Sequence, residues 1–423
     1  MSLKSEVTTV TRWLVLIRVV NRLGAFAMGF LSLRLTHDLG ASLALAGLVL
    51  AAFGAGTIPS RLLGGVLATR FGARTAMLAG LLACAAAQAT IGLGRSLPVV
   101  VGGALLLGLA YELVEPATQA LIAQSVPDER RASSYSLLWA ALAVAGVVAG
   151  LLAAVLTRWS LGALFLADAV TSLAAAVVVW RRLPADRKPD RTEVRAAWCA
   201  VLSRRLAAWT AVGSGYATLA MVVVFMLPLA VQAGGHPAAL TGWLLATAAA
   251  AAIAAQRIVA RTELSLTPAT TLAIGYASLT VGLLCWAGGT VPELVTGAAF
   301  EGASGSLLLG TQQAIASRLA PPRHAATVLT GYGLSWGVGT VAAPLIGAPL
   351  LAHGAATLWL VTAAGAASLG LGTALYQRMM LRHRAPRAAR GGRGRTPAGS
   401  AVHPVRGSDR PGSNGISGFG AAG

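Results

Sequence analysis

Long apolar runs, separated by short polar stretches that carry most of the arginines, alternate along this chain almost from end to end. A helix rises about 1.5 Å per residue, so roughly 20 apolar residues cross about 30 Å of hydrocarbon. That ruler predicts twelve spanning helices, approximately over residues 13–35, 43–68, 74–94, 97–123, 132–157, 160–181, 207–231, 238–260, 268–288, 291–317, 326–350 and 355–376. The first run is of full length with no small-residue cleavage site after it, so it reads as a span and not as a removed signal. Two longer polar stretches, residues 182–206 and 378–423, interrupt the pattern. The expected fold is an all-α membrane protein with 12 transmembrane helices in two pseudo-symmetric six-helix bundles. Residues 1–181 form the first half, 182–206 a cytoplasmic basic linker, 207–377 the second half, and 378–423 a basic cytoplasmic tail too poor in apolar residues to fold.

Composition agrees with the pattern. Mean hydropathy is +0.71, and only 11% of residues are charged, against roughly 25% in soluble proteins. The formal net charge of +19 would suit a nucleic-acid partner if the arginines formed a stripe interleaved with aromatics. They fall instead in the breaks between apolar runs, which is a topology signal and argues against nucleic acid. With the N-terminus inside, 27 of the 33 Lys and Arg residues lie on the inner side, three outside (Arg34, Arg95, Arg158) and three within helices (Arg18, Arg22, Arg61). This places both termini and the central loop in the cytoplasm of a plasma (inner) membrane protein. Cys84, Cys199 and Cys285 are far apart, and the six histidines are scattered, so neither a disulfide framework nor a metal site is expected. No phosphate-binding GxxxxGK[ST] and no GxSxG occurs, so no cofactor and no enzymatic chemistry is expected.

An internal repeat supports two related halves. Thr118-Gln119-Ala120-Leu121-Ile122-Ala123, followed by Arg130-Arg131-Ala132, recurs 193 residues later as Thr311-Gln312-Gln313-Ala314-Ile315-Ala316, followed by Arg323-His324-Ala325. Gly146 and Gly339 keep the same offset. Such duplication is expected where a transport site lies between two units that rock against each other.

Between the second and third runs stands Gly65-Val66-Leu67-Ala68-Thr69-Arg70-Phe71-Gly72-Ala73-Arg74. With the two halves and the basic central loop, it resembles the Major Facilitator Superfamily, whose pattern G-x-L-A-D-R-x-G-R-[KR] is matched by Gly65, Leu67, Ala68, Arg70, Gly72 and Arg74. The resemblance implies a transporter whose conformational switch loop holds Gly65, Arg70, Gly72 and Arg74. Thr69 stands in place of the family's Asp, which removes the carboxylate of the cytoplasmic latch. Asn21-Arg22-Leu23-Gly24, Glu115-Pro116-Ala117 and Met226-Leu227-Pro228 are similar to the bacterial 12-helix drug:proton antiporter branch. Gly146-Val147-Val148-Ala149-Gly150 is followed by Leu151 where that branch carries Pro.

Charged side chains deep in lipid cost about 2.5–3.5 kcal/mol each, so they tend to be paired or functional. Glu112, Glu115, Asp168 and Glu301 are the acids deep within spans, with Arg18, Arg22 and Arg61 as basic partners. Depth along the helices places Arg22 opposite Glu112 and Glu115, which share a face three residues apart. Glu112, Glu115 and Glu301 are thus the candidate proton-coupling groups, with static ion pairing the alternative for the first two; Asp168 reads as structural. Arg18, Asn21, Arg22, Phe26, Tyr111, Tyr216, Met226 and Trp336 are candidates for lining a substrate cavity, the aromatic and methionine members offering adaptable apolar surface or ordinary packing. The expected function is proton-coupled efflux of small hydrophobic or drug-like compounds by a monomer in contact with membrane lipid. Two alternatives stay open: a carrier of an anionic or polar metabolite through an Arg-lined cavity, and a non-transporting membrane scaffold or sensor.

Overall fold

A computed structural model describes residues 3–24, 27–125, 128–183, 185–186, 203–261, 267–319 and 325–391. These residues are almost wholly helical, and no strand occurs among them. Ten of the helices are long and apolar enough to cross a membrane. In chain order the longer α-helices are α1 (Leu3–Gly24), α2 (Leu43–Arg70), α3 (Ala73–Leu93), α4 (Leu97–Tyr111), α5 (Val114–Ser125), α6 (Asp128–Leu156) and α7 (Leu161–Arg182), then α8 (Arg204–Ala233), α9 (Ala238–Arg261), α10 (Pro268–Gly288), α11 (Val291–Ser317), α12 (Ala325–Tyr332), α13 (Leu334–Ala352) and α14 (Ala355–Gly391). Helices α6, with its shorter apolar stretch Ala140–Leu156, and α11, 27 residues long, account for the other two predicted spans. The protein is a multi-pass integral membrane protein.

Three predicted spans are not single helices. The first is α-helical to Gly24 and, from Ala27, a 3-10 turn to Phe30 that runs on to Asp38. The fourth is split between α4 and α5 by Pro116, which has no N–H to offer the Glu112 carbonyl and whose ring crowds it. The eleventh is split at Gly333. At the other extreme, α14 extends to Gly391, so residues 378–391 of the stretch predicted to lack structure are helical. The rest of the tail and residues 187–202 of the linker lie outside the described residues.

Arg70, Arg74, Arg182, Arg204, Arg257, Arg261 and Arg318 gather at one end of the bundle, called here the basic end. At the opposite, far end the spans of residues 1–181 meet those of 207–377 along three seams: α2 on α13, α6 on α9, and the Ala27–Leu33 segment on α8. All three are built on close backbone approach. A Cβ on Gly54 would stand 2.6 Å from the Thr340 carbonyl carbon, and one on Gly150 would stand 2.5 Å from the Ala246 nitrogen. Beside Gly29, the Ser32 hydroxyl donates to the Phe225 carbonyl at 2.8 Å. Small residues allow such contact where lipid supplies no hydrophobic drive between helices. The α2–α13 seam reaches furthest toward the basic end, to Arg61 against Gly333, which leaves roughly 14 Å of α2 beyond it at that end.

Candidate functional site

Glu112 and Glu115 sit on either side of the α4–α5 break, and the break sends them to different partners. Arg61 of α2 donates from Nε to Glu112 Oε2 at 3.0 Å, and its Nη2 lies at 3.0 Å from the same oxygen. The backbone N–H of Glu112 donates to the Ser60 hydroxyl at 3.1 Å, an outlet the interrupted helix requires. Arg18 of α1 donates from Nη2 to Glu115 Oε2 at 2.6 Å. All four side chains are partly buried, between 12% and 23% exposed, so the pairs are only moderately screened by solvent.

This corrects the expected pairing of Arg22 with the two glutamates. Depth along a helix places a charge but leaves its azimuth open; Arg18, one turn earlier on α1, is the residue that reaches Glu115. Arg22 is exposed and makes no hydrogen bond or ion pair among the described residues. Asn21 turns the other way, its Nδ2 donating to Ser172 Oγ at 3.2 Å. Phe26 lies outside the described residues.

In the second half, Glu301 of α11 is partly buried and has no hydrogen bond or ion pair among the described residues. It lies within electrostatic reach of Tyr216 of α8. The Tyr216 ring makes edge contacts with Tyr276 at 6.4 Å and Trp336 at 6.1 Å between centroids. Gln312 fixes this wall from behind: its Nε2 donates to the Tyr276 hydroxyl at 3.0 Å, its Oε1 accepts from Tyr332, and its carbonyl accepts from Trp209 Nε1 at 3.0 Å. Sequence reasoning used Gln312 only as a repeat marker; its buried amide between aromatic spans was the signal for this role. At the seam, Phe53 stands edge-on to both Tyr111 and Phe225, at 5.8 and 6.4 Å. Met226 is fully buried against Gly347 and belongs to the core in this conformation.

The predicted switch loop has a carboxylate from elsewhere in the chain against its end. Asp186, four residues past the end of α7, accepts from the Arg74 N–H at 2.8 Å, the Thr75 N–H at 2.9 Å and the Thr75 hydroxyl at 2.7 Å. It caps the positive end of α3. Gly72 has φ of 99°, and any Cβ there would strike the Asp186 side chain. The Arg74 guanidinium donates to the Trp180 carbonyl, while Gly65 has open space around it and Arg70 is exposed. A lone acid within a basic stretch just past a span was the available clue. Asp186→Ala should lower stability by about 1–2 kcal/mol, with Asp186→Asn recovering part of the loss; thermal melts of the solubilised protein read this, and unchanged melting would remove the cap from the account.

The sequence profile of the Major Facilitator Superfamily matches residues 14–290. The chain belongs to that superfamily. The multidrug resistance proteins MdtH of Salmonella arizonae and Salmonella typhi are each 31% identical to it over 186 residues, or 43% of this chain and 46% of theirs. The match thus spans about half the length of these curated relatives. Among solved structures, the peptide transporter POT in complex with sulfate superposes with a TM-score of 0.73 at 14% identity, covering 90% of this chain and 99% of that one. The nucleoside transporter NupG superposes at 0.71 and 10% identity, covering 86% and 98%. At these identities the superfamily fold is what is shared.

Proposed function

We propose that this chain is a secondary transporter that works by alternating access between two six-helix halves, residues 1–181 and 207–377, and exports small hydrophobic or drug-like compounds in exchange for protons. The observation that carries the reading is the placement of the seams. They close the far end by backbone-to-backbone contact, and the α2–α13 seam runs down to Arg61 of the Arg61–Glu112 pair. With the basic end in the cytoplasm, as the arginine distribution favours, this is the inward-facing member of the cycle. The partial similarity to MdtH, a multidrug resistance protein, supports the substrate class.

Glu301 is the acid best suited to couple protons, because it has no cation to hold it charged, whereas Glu112 and Glu115 are engaged by Arg61 and Arg18. A carboxyl beside Tyr216 and Trp336 also suits an amphipathic cation, which gains from the aromatic faces as well as the charge. In proteoliposomes loaded with a fluorescent lipophilic cation, Glu301→Gln should cut pH-gradient-driven flux at least tenfold and leave substrate exchange without a gradient. Gradient-driven flux equal to that of the unaltered protein would take Glu301 out of the mechanism. Flux of an acidic metabolite that needs Arg22 and survives Glu112→Gln would favour an anion carrier.

A further inference from the structure

Asp168 of α7, read from the sequence as structural, has surroundings that allow it a second role. It is 3% exposed, within the spans of residues 1–181 and away from the seams. Its Oδ1 has no hydrogen-bond partner among the described residues. Beside its carboxyl lies the Gln88 side chain of α3. Gln88 in turn accepts from Ser172 Oγ at 3.3 Å, and Ser172 accepts from Asn21 at 3.2 Å. A directed chain of amide and hydroxyl groups therefore runs from α1 to the acid. Gly24, where the α1 helix ends, lies so close that a Cβ on it would be 2.4 Å from the Asp168 Cα and 2.6 Å from Oδ1.

A carboxylate buried with one orphan oxygen and no ion pair is too costly to persist, so the group is neutralised by a proton or a cation. The neighbours decide between them. A metal ion needs several oxygen ligands, and here Ser172 and Gln88 already spend their groups on each other and on Asn21. The charged and titratable groups facing the acid are Cys84 of α3, Tyr111 and Glu112 at the α4–α5 break, and Arg22 of α1. Glu112 is taken by Arg61, and Arg22 already supplies positive charge, which disfavours a second cation.

We propose that Asp168 is a proton-binding site inside the first six-helix half, holding its proton in this conformation and releasing it when Arg22, already within electrostatic reach, closes on the carboxylate to form an ion pair. On release the O–H bond of the acid breaks, the proton leaves to water on the exposed side of Arg22, and the guanidinium compensates the charge left behind. This site is separate from Glu301, and its test does not depend on transport.

Infrared spectroscopy of the purified full chain in lipid nanodiscs reads it directly. Protein grown with aspartate labelled by carbon-13 in the side-chain carboxyl should show, near neutral pH, a carboxylic-acid carbonyl band displaced by the label. That band should be absent from Asp168→Asn, whose amide matches the shape of the neutral acid. No displaced acid band in the labelled, otherwise unaltered protein would overturn the proposal, with no variant required to fold. A step to alkaline pH should bleach the band in the unaltered protein and leave most of it in Arg22→Gln; equal bleaching in both would overturn the hand-over to Arg22.

Discussion

Replacing Arg18 alone should harm this protein more than replacing Arg18 and Glu115 together. Arg18→Met takes away the guanidinium 2.6 Å from the partly buried Glu115 carboxylate, at a cost of about 2–3 kcal/mol after allowance for the 17–23% exposure of the pair. Glu115→Gln leaves a cation facing an amide that can still accept its hydrogen bond, costing about 1–2 kcal/mol. The double variant removes both charges and should fall within about 1 kcal/mol of the starting protein, since an ion pair replaced by neutral groups is often close to neutral in stability. Melting temperatures of the four proteins in detergent close the cycle and give the coupling energy. Pair-independent losses, with the double equal to the sum of the singles, would mean that the contact between α1 and α5 contributes nothing. Proton-driven flux on the same four proteins separates mechanism from scaffold. A double variant that regains stability without flux implicates the pair in coupling, and one that regains both makes it a static brace.

The largest functional effect should come from two glycines with no chemistry at all. At Gly54 and Gly150 the atoms in the way of a side chain are backbone, 2.6 and 2.5 Å from an ideal Cβ, and backbone cannot swing aside as a flexible side chain can. Gly54→Leu or Gly150→Leu must therefore part the halves at the far end. Overpacking costs about 1–3 kcal/mol, and 1.4 kcal/mol is tenfold in an equilibrium constant, so the closed-far-end population should fall about tenfold. Ala154, buried at the α6–α9 seam, offers a reporter as Ala154→Cys: an impermeant maleimide should label it slowly alone and about tenfold faster with Gly150→Leu. Transport should fall with it. Gly102→Leu is the control, because a Cβ there meets nothing within 4 Å. Equal labelling in both backgrounds would show that these seams do not gate the far end.

The spans were legible because lipid imposes one rule on every residue of a crossing helix, and hydropathy records that rule directly. What needed three dimensions was azimuth. The acids and bases were identifiable as a set, yet only the rotation of α1 shows that Arg18 and not Arg22 faces Glu115. Pro116 was visible as a turn signal, but that it would separate Glu112 from Glu115 and give them different partners depends on where α2 passes. Asp168 looked peripheral because its place in sequence is near a helix end; its burial comes from α1 and α3 closing over it. Asp186 was hidden among arginines, and only the return of the chain past α7 to the start of α3 reveals it as a cap.

The two halves are held by different kinds of group, and that makes each separately visible to light. The indoles of Trp209, Trp286 and Trp359 are all buried in the second half, the last two with ring centroids 4.9 Å apart, whereas Trp159 and Trp180 of the first half are 76% and 63% exposed. Among the described residues the buried indoles therefore all belong to residues 207–377, with Trp209 held by the Gln312 carbonyl. The buried carboxyl vibration of Asp168 belongs to residues 1–181. With the aspartate carboxyls carbon-13 labelled, one sample carries an emission signal from one half and an infrared signal from the other, so the order in which the halves respond to a substrate can be timed without attaching a fluorophore to either.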